Sequence, residues 1–133
     1  PEKEPIKNFI KKNNLNKMIS LKGFVNNKKL VFKNADLFIN ASLWEGLPNA
    51  LVQSINYNVF PICSNAPGGN MEVIKNGILG FYFKTNDEKD LQKKIKKFFN
   101  NRSKLNNKSR IKHLQNYTEL KSNQKYLYII NKL

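Results

Sequence analysis

In Glu45-Gly46-Leu47-Pro48-Asn49 a carboxylate, a glycine and a proline stand just ahead of a run with helical spacing. An ionised carboxylate only accepts hydrogen bonds, so Glu45 can hold the hydroxyl groups of a ligand. Gly46 lets a ligand approach the backbone closely. Pro48 is tolerated in the first turn of a helix, and the free N–H groups at that end favour an anionic group such as a diphosphate. These residues describe one coherent site for an anionic, hydroxylated small molecule. The competing reading is that Glu45 is a solvated loop residue.

Such a site needs a strand before it and a helix after it, and the surrounding pattern supplies both. Ala35 to Asn40 is a brief, mostly apolar run, as expected of a central parallel strand buried on both faces. Ala41 to Leu47 is a loop, and Ala50, Leu51, Ser54 and Ile55 form one stripe of the helix opened by Pro48. Upstream, Pro5, Ile6, Phe9 and Ile10 predict a first helix; Met18 to Val25 alternates like a strand entering a loop at Gly23, with Ile19 and Leu21 inward; Asn26 to Asn34 is a polar turn or short helix. Downstream, Val59 to Cys63 predicts a strand that Pro61 assigns to an edge or to its own start, followed by a loop at Asn65 to Asn70. A short helix from Met71 to Lys75, an Asn76-Gly77 turn and a strand from Gly80 to Phe83 come next. Asp87 caps a helix whose Leu91, Ile95, Phe98 and Phe99 share a face, and two more helices cover Ser103 to Asn116 and Thr118 to Leu133. Strands alternating with helices predict an α/β fold, a Rossmann-like parallel sheet with flanking helices. In such sheets ligands bind at the carboxyl ends of the strands, which brings the loops Gly23 to Asn26, Ala41 to Pro48 and Ser64 to Asn70 to one rim.

The bulk properties narrow the function. With 133 residues the chain holds one domain and one core, without repeats, low-complexity linkers or an internal boundary. Its start, Pro1-Glu2-Lys3-Glu4, reads as an internal cut in a longer protein. No apolar run approaches the ~20 residues of a membrane span. One cysteine, Cys63, forms no internal disulfide, no Cys/His cluster has metal-ligand spacing, and a cytoplasmic setting fits. The net charge of +15 comes almost entirely from scattered Lys, which reads as a solvated surface. Contact with an anionic membrane surface is the second reading, and nucleic acid is disfavoured without a recognisable module. His113 and Cys63 read as a surface and a core residue, Trp44 as packed beneath its loop with ring stacking on a ligand as the alternative, and Asp36 as a loop anchor. Glu72 caps or anchors its loop or else touches the ligand, and the aromatics from Phe81 to Tyr128 pack the core and helices.

The run from Ala35 to Ser54 resembles the signature of family 4 of the retaining glycosyltransferases, in which a strand ending in Ser, two residues, then Glu-Gly-Phe/Leu-Pro opens a helix. The likeness extends to Ile19-Ser20-Leu21-Lys22-Gly23-Phe24-Val25, to the strand Val59 to Ser64, to Pro67-Gly68-Gly69-Asn70-Met71-Glu72-Val73-Ile74 and to Asn76-Gly77 through Phe83, covering about residues 5 to 100. The resemblance implies the GT-B architecture, with this chain as part of the C-terminal, donor-binding domain and a helical tail over about 87–133. It further implies Glu45 as the catalytic residue that holds donor-sugar hydroxyls, Gly46, Leu47, Pro48 and Asn49 lining the sugar and diphosphate, and Gly23, Phe24 and Val25 bordering the base. No metal or cofactor is expected. The Arg and Lys that neutralise the diphosphate in the family, and the domain that supplies most of the acceptor site, are not in these residues.

One departure stands out. Where the family has a second Glu for the ribose hydroxyls, after seven intervening residues, this chain has Gln53. Gln still accepts and donates, without charge-assisted strength. The expected reaction is transfer of a hexose or aminohexose from a nucleoside diphosphate, UDP in the first instance, to a glycan or lipid-linked acceptor with retention of configuration. The 133 residues alone are expected to be inactive, and a non-catalytic nucleotide-sugar-binding subunit is the alternative.

Overall fold

Val59 to Ser64 is the most apolar short run of the chain, and the computed structural model, which describes residues 3–102, buries it completely. The elements are α1 (Lys3–Lys12), α2 (Lys28–Phe32), β1 (Leu37–Asn40), α3 (Asn49–Asn56), β2 (Phe60–Ser64), α4 (Gly69–Val73), β3 (Phe81–Phe83) and α5 (Glu88–Asn101). The three strands form one parallel sheet in the order β1-β2-β3, with Leu37 opposite Phe60, Asn40 opposite Cys63, Ile62 opposite Phe81 and Ser64 opposite Phe83.

Alternation along β2 builds a core on each side of the sheet. Cys63 joins Leu51 and Ile55 of α3 and Val73 and Ile74 of α4. Phe60 and Ile62 join Phe83 and Phe98 on the other side, with Leu91 and Ile95 of α5 packed against them. Helices on both faces follow from a sheet whose two sides are equally apolar, since each must be covered.

Four expectations change. The central strand is β2, not β1: among the described residues β1 is paired on one side only, and its Ile39 is exposed. Pro61 sits within this central strand. Pairing with β3 begins one residue later, at Ile62, and Gly80 leaves the ring its room, since a Cβ there would lie 2.6 Å from Pro61 Cγ. No strand forms over Met18 to Val25; Ile19 and Leu21 are exposed, and Gly23 turns the backbone with φ of 65°. An alternating pattern becomes a strand only through a partner, and the described residues offer this segment none. Asp36 anchors no loop: its carboxylate pairs with Arg102 at the end of α5. The predicted helices beyond residue 102, with His113 and Tyr128, lie outside the described residues.

The remaining elements follow their local signals. Asp87 caps α5, accepting from Asp90 N–H at 2.9 Å. Asp90 in turn accepts from Lys84 N–H at 2.9 Å, and Lys94 lies 3.5 Å away. That backbone donor, above all, holds the Asp90 carboxyl below the usual carboxylate range against a smaller push from desolvation, with Lys94 and Lys93 adding to it. A depressed folded-state value means stability that is present above about pH 4 and is lost as the pH falls through the folded-state value. Asp90→Asn should therefore lower the thermal midpoint more at pH 7 than at acid pH, the difference shrinking as the pH falls through the folded-state value, as followed by circular dichroism. An equal drop at both values would show that the carboxylate charge contributes nothing.

Candidate functional site

β1 and β2 run parallel and both end on the same rim, at Asn40 and Ser64, so the loops that follow them meet. They meet through their backbones. Glu45 N–H donates to Pro67 O at 3.3 Å, and Gly69 N–H lies 3.2 Å from Glu45 O and 2.9 Å from Gly46 O, a parallel bridge between Glu45 and Gly68. The approach is possible only because the second loop carries two glycines. A Cβ on Gly68 would sit 1.6 Å from Glu45 O, and one on Gly69 would sit 2.3 Å from Gly46 O. Gly68 also adopts a φ of 110°, a region that side chains rarely enter. Gly46 itself is open, with only the Trp44 ring near a Cβ position, at 3.9 Å.

Beneath this clamp lies a polar network. The Glu45 carboxylate accepts from Ser42 Oγ at 2.6 Å and from Asn40 Nδ2 at 3.3 Å, both at Oε1. Asn40 Nδ2 also donates to Asn70 Oδ1 at 3.2 Å, and Asn70 Nδ2 donates to Ser64 O at 3.1 Å and lies 3.3 Å from Ser64 Oγ. Ser64 Oγ donates to Ser42 O at 2.5 Å. Asn70 is 0% exposed and Ser64 1%, so these amide and hydroxyl groups would be costly if left unpaired. Among the described residues Glu45 Oε2 accepts no hydrogen bond, and it remains available to a ligand hydroxyl.

Pro48 is buried at the head of α3, and Gly46, Leu47 and Asn49 are exposed around it. The first amides of α3 thus face the same rim as Glu45. Ala50 and Gln53, one turn apart on this helix, line a cavity of about 600 Å³ together with Gly23, Phe24 and Val25. Gln53 and Lys28 also line an adjoining groove of about 550 Å³ with Asn26, Asn27 and Tyr57. The residues predicted to border a base and those predicted to hold a ribose therefore share one cavity, and Glu45 stands apart from it at the helix start.

Trp44 does not pack beneath its loop: it is 70% exposed, beside exposed Leu43 and Leu47. Glu72 is exposed in the first turn of α4. Cys63 is buried in the core as expected, and burial pushes its thiol up to about 12, which keeps it protonated and unreactive near neutrality. Among the described residues no group of three or more His, Cys, Asp or Glu side chains could hold a metal ion, and no helix is long and apolar enough to cross a membrane. Asn40 and Asn70 were not singled out in the sequence. An amide closing the apolar run Leu37-Phe38-Ile39 and another directly after Gly68-Gly69 are the signals that mark them.

A parallel sheet wrapped by helices, with two strand-end loops joined over a carboxylate and a helix N-terminus, is the α/β Rossmann-like fold of the GT-B glycosyltransferases. Two solved structures share it: a glycosyltransferase from Rickettsia africae, with a TM-score of 0.86 and 22% identity over 97% of this chain and 35% of its own, and Anabaena HepE in complex with UDP, with a TM-score of 0.84 and 19% identity over 99% and 38%. The chain belongs to the family described as glycosyl transferases group 1, whose profile matches residues 1–116. It is 36% identical over 74 residues to an Escherichia coli UDP-Gal:alpha-D-GlcNAc-diphosphoundecaprenol alpha-1,3-galactosyltransferase, and 31% identical over 72 residues to an uncharacterised glycosyltransferase of Methanocaldococcus jannaschii. Those matches take in 56% and 54% of this chain but only 19% and 18% of the relatives.

The clamp makes a direct test of the site's architecture possible. Gly68→Ala should destabilise the protein by about 3 kcal/mol, because backbone must move to admit the methyl group in a disfavoured conformation. Chemical denaturation measures this, and an unchanged midpoint would mean that the two loops are not in contact in solution.

Proposed function

We propose that these residues are part of the C-terminal, donor-binding domain of a family 4 transferase. In this reading the enzyme moves a hexose or aminohexose from UDP to a glycan or lipid-linked acceptor, retains configuration and uses no metal. The observation that carries the reading is the placing of Glu45 at the head of α3, with the Gln53 and Gly23 to Val25 cavity further along the same helix. A nucleotide sugar laid in that order would have its sugar at Glu45, its diphosphate over Gly46, Leu47 and Asn49, its ribose at Gln53, about 7.5 Å along the helix from Pro48, and its base against Gly23, Phe24 and Val25.

Each group has a chemical task. Glu45 Oε2 accepts from a donor hydroxyl and fixes the anomeric carbon, which is how positioning lowers a barrier. The α3 N-terminus offsets charge as the diphosphate departs. With Glu45 engaged by its own network, the reading has the leaving diphosphate take the proton of the acceptor hydroxyl on the same face of the sugar. The lysines of α1, α2 and α5 suit a protein that meets a lipid-linked acceptor at an anionic, cytoplasmic membrane face. Gln53 favours a second reading, a subunit that binds the nucleotide sugar without transferring it, and single-turnover transfer by the full-length protein would exclude that.

In the full-length protein containing this chain, Glu45→Ala should lower kcat by about 100-fold, near 3 kcal/mol, while Gln53→Ala should raise the donor KM severalfold with kcat nearly kept. Gln53→Glu should keep or tighten donor binding. Loss of donor binding in Gln53→Glu together with an unchanged kcat in Glu45→Ala would overturn the assignment. The 133 residues alone should transfer nothing and bind UDP in the millimolar range by calorimetry, about 4 kcal/mol; transfer to any acceptor by this chain alone would contradict the need for further residues.

A further inference from the structure

The amide of Asn40 is placed where it joins Glu45 to the buried side of the site. It closes an apolar run, Leu37-Phe38-Ile39, at the carboxyl end of β1. Its Nδ2 lies within hydrogen-bond distance of Glu45 Oε1 and of Asn70 Oδ1, and its Oδ1 lies 2.7 Å from Ser42 Oγ. Asn70, wholly buried, continues the chain of bonds to the end of β2 at Ser64. The carboxylate is thus tied to both strand ends and to the first turn of α4.

Holding the two loops together does not require this chain of amides. The bridge from Glu45 and Gly46 to Pro67 and Gly69 already does so through backbone alone. The network adds an orientation. Ser42 and Asn40 both reach Oε1, so the carboxylate cannot rotate without breaking bonds in a half-buried place, and Oε2 has no hydrogen-bond partner among the described residues. Asn70 is buried and Asn40 half-buried, and a carboxylate held by this chain of amide bonds needs little rearrangement when a sugar arrives.

We propose that Asn40 is a positioning residue for the transfer, with Asn70 as its support: it acts through Glu45 by fixing the direction in which the carboxylate is presented to the donor sugar. This rests on the reading of Glu45 as the donor-sugar residue. A support that merely stabilises the fold and one that aims the carboxylate differ in a double-mutant cycle on kcat, because a residue that acts through Glu45 has nothing left to act on once that carboxylate is gone.

The experiment uses the full-length protein with Asn40→Leu, Glu45→Ala and both together, each checked for a cooperative thermal transition and assayed well below it. Asn40→Leu should lower kcat at least about tenfold with the donor KM within about twofold, and adding it to Glu45→Ala should cost less than about twofold more. Multiplying effects, a change confined to KM, or an unchanged kcat in Asn40→Leu would overturn the proposal. Should Asn40→Leu not fold, Ser42→Ala, which removes the other donor to Oε1, goes through the same cycle with the same criteria. A kcat untouched by Glu45→Ala would remove the parent reading and this one with it, whereas a drop in Glu45→Ala without one in Asn40→Leu defeats this inference alone.

Discussion

The close approach of two backbones, Glu45-Gly46 on Gly68-Gly69, is the constraint from which the rest of the site follows. It joins the loop after β1 to the loop after β2 with three hydrogen-bond contacts, and it tolerates no side chain at either glycine of the second loop. Because the strands beneath are parallel and in register, the clamp inherits their rigidity. The head of α3, which starts at Asn49 immediately after the clamped loop, inherits it as well. A carboxylate and a set of helix amides on two independently mobile loops would have to be ordered by the ligand, at a cost in every binding event. Here that ordering is already present in the fold.

Closing the backbones over a polar layer also explains why Asn70 and Ser64 are buried among apolar residues. Cys63, Val73 and Ile74 surround this layer from the α3 side of the sheet, where a lone amide would be destabilising. Each polar atom instead hands its bond to the next, from Ser64 to Asn70, Asn40 and Glu45. The same surroundings act on Cys63 in the opposite sense: with no polar partner to favour the thiolate, burial keeps the thiol protonated.

Elements governed by local chemistry could be read from the sequence. Asp87 three residues before Asp90, Pro48 before an apolar stripe, and the Asn76-Gly77 turn place α5, α3 and the approach to β3 within one or two residues. Pairing was less legible. Pro61 lacks a donor wherever it stands, and only the neighbouring Gly80, nineteen positions later in the chain, makes a central place for it possible. Met18 to Val25 has the alternation of a strand, yet alternation specifies a face and not a partner. The site shows the same division. Glu45 and the α3 start follow from residue types, whereas Gln53 stands out only through the family resemblance. The Asn40 to Asn70 contact joins positions thirty residues apart and has no periodic signal.

The two parts of the candidate site also differ in how complete they are, and magnitudes decide what that means. The end proposed for the sugar has its carboxylate, the donors that hold it and its backbone clamp. For the diphosphate, the described rim provides a helix N-terminus, worth about 0.3–1 kcal/mol to a nearby anion. Lys22 and Lys28 line the cavity shared by Gln53 and by Ala50 in the first turn of α3, while the loops Ala41 to Pro48 and Ser64 to Asn70 carry no Lys or Arg. An ammonium that can approach a phosphate oxygen contributes roughly 1.5–3 kcal/mol through a charge-assisted bond, more than the helix end. On the proposed reading, stabilisation of a departing diphosphate therefore rests more on cations than on the rim's own backbone, whereas orientation of the sugar is achieved within the rim. In that reading these residues mainly aim the donor, and the charge that lets it react comes from ammonium or guanidinium groups more than from the helix end.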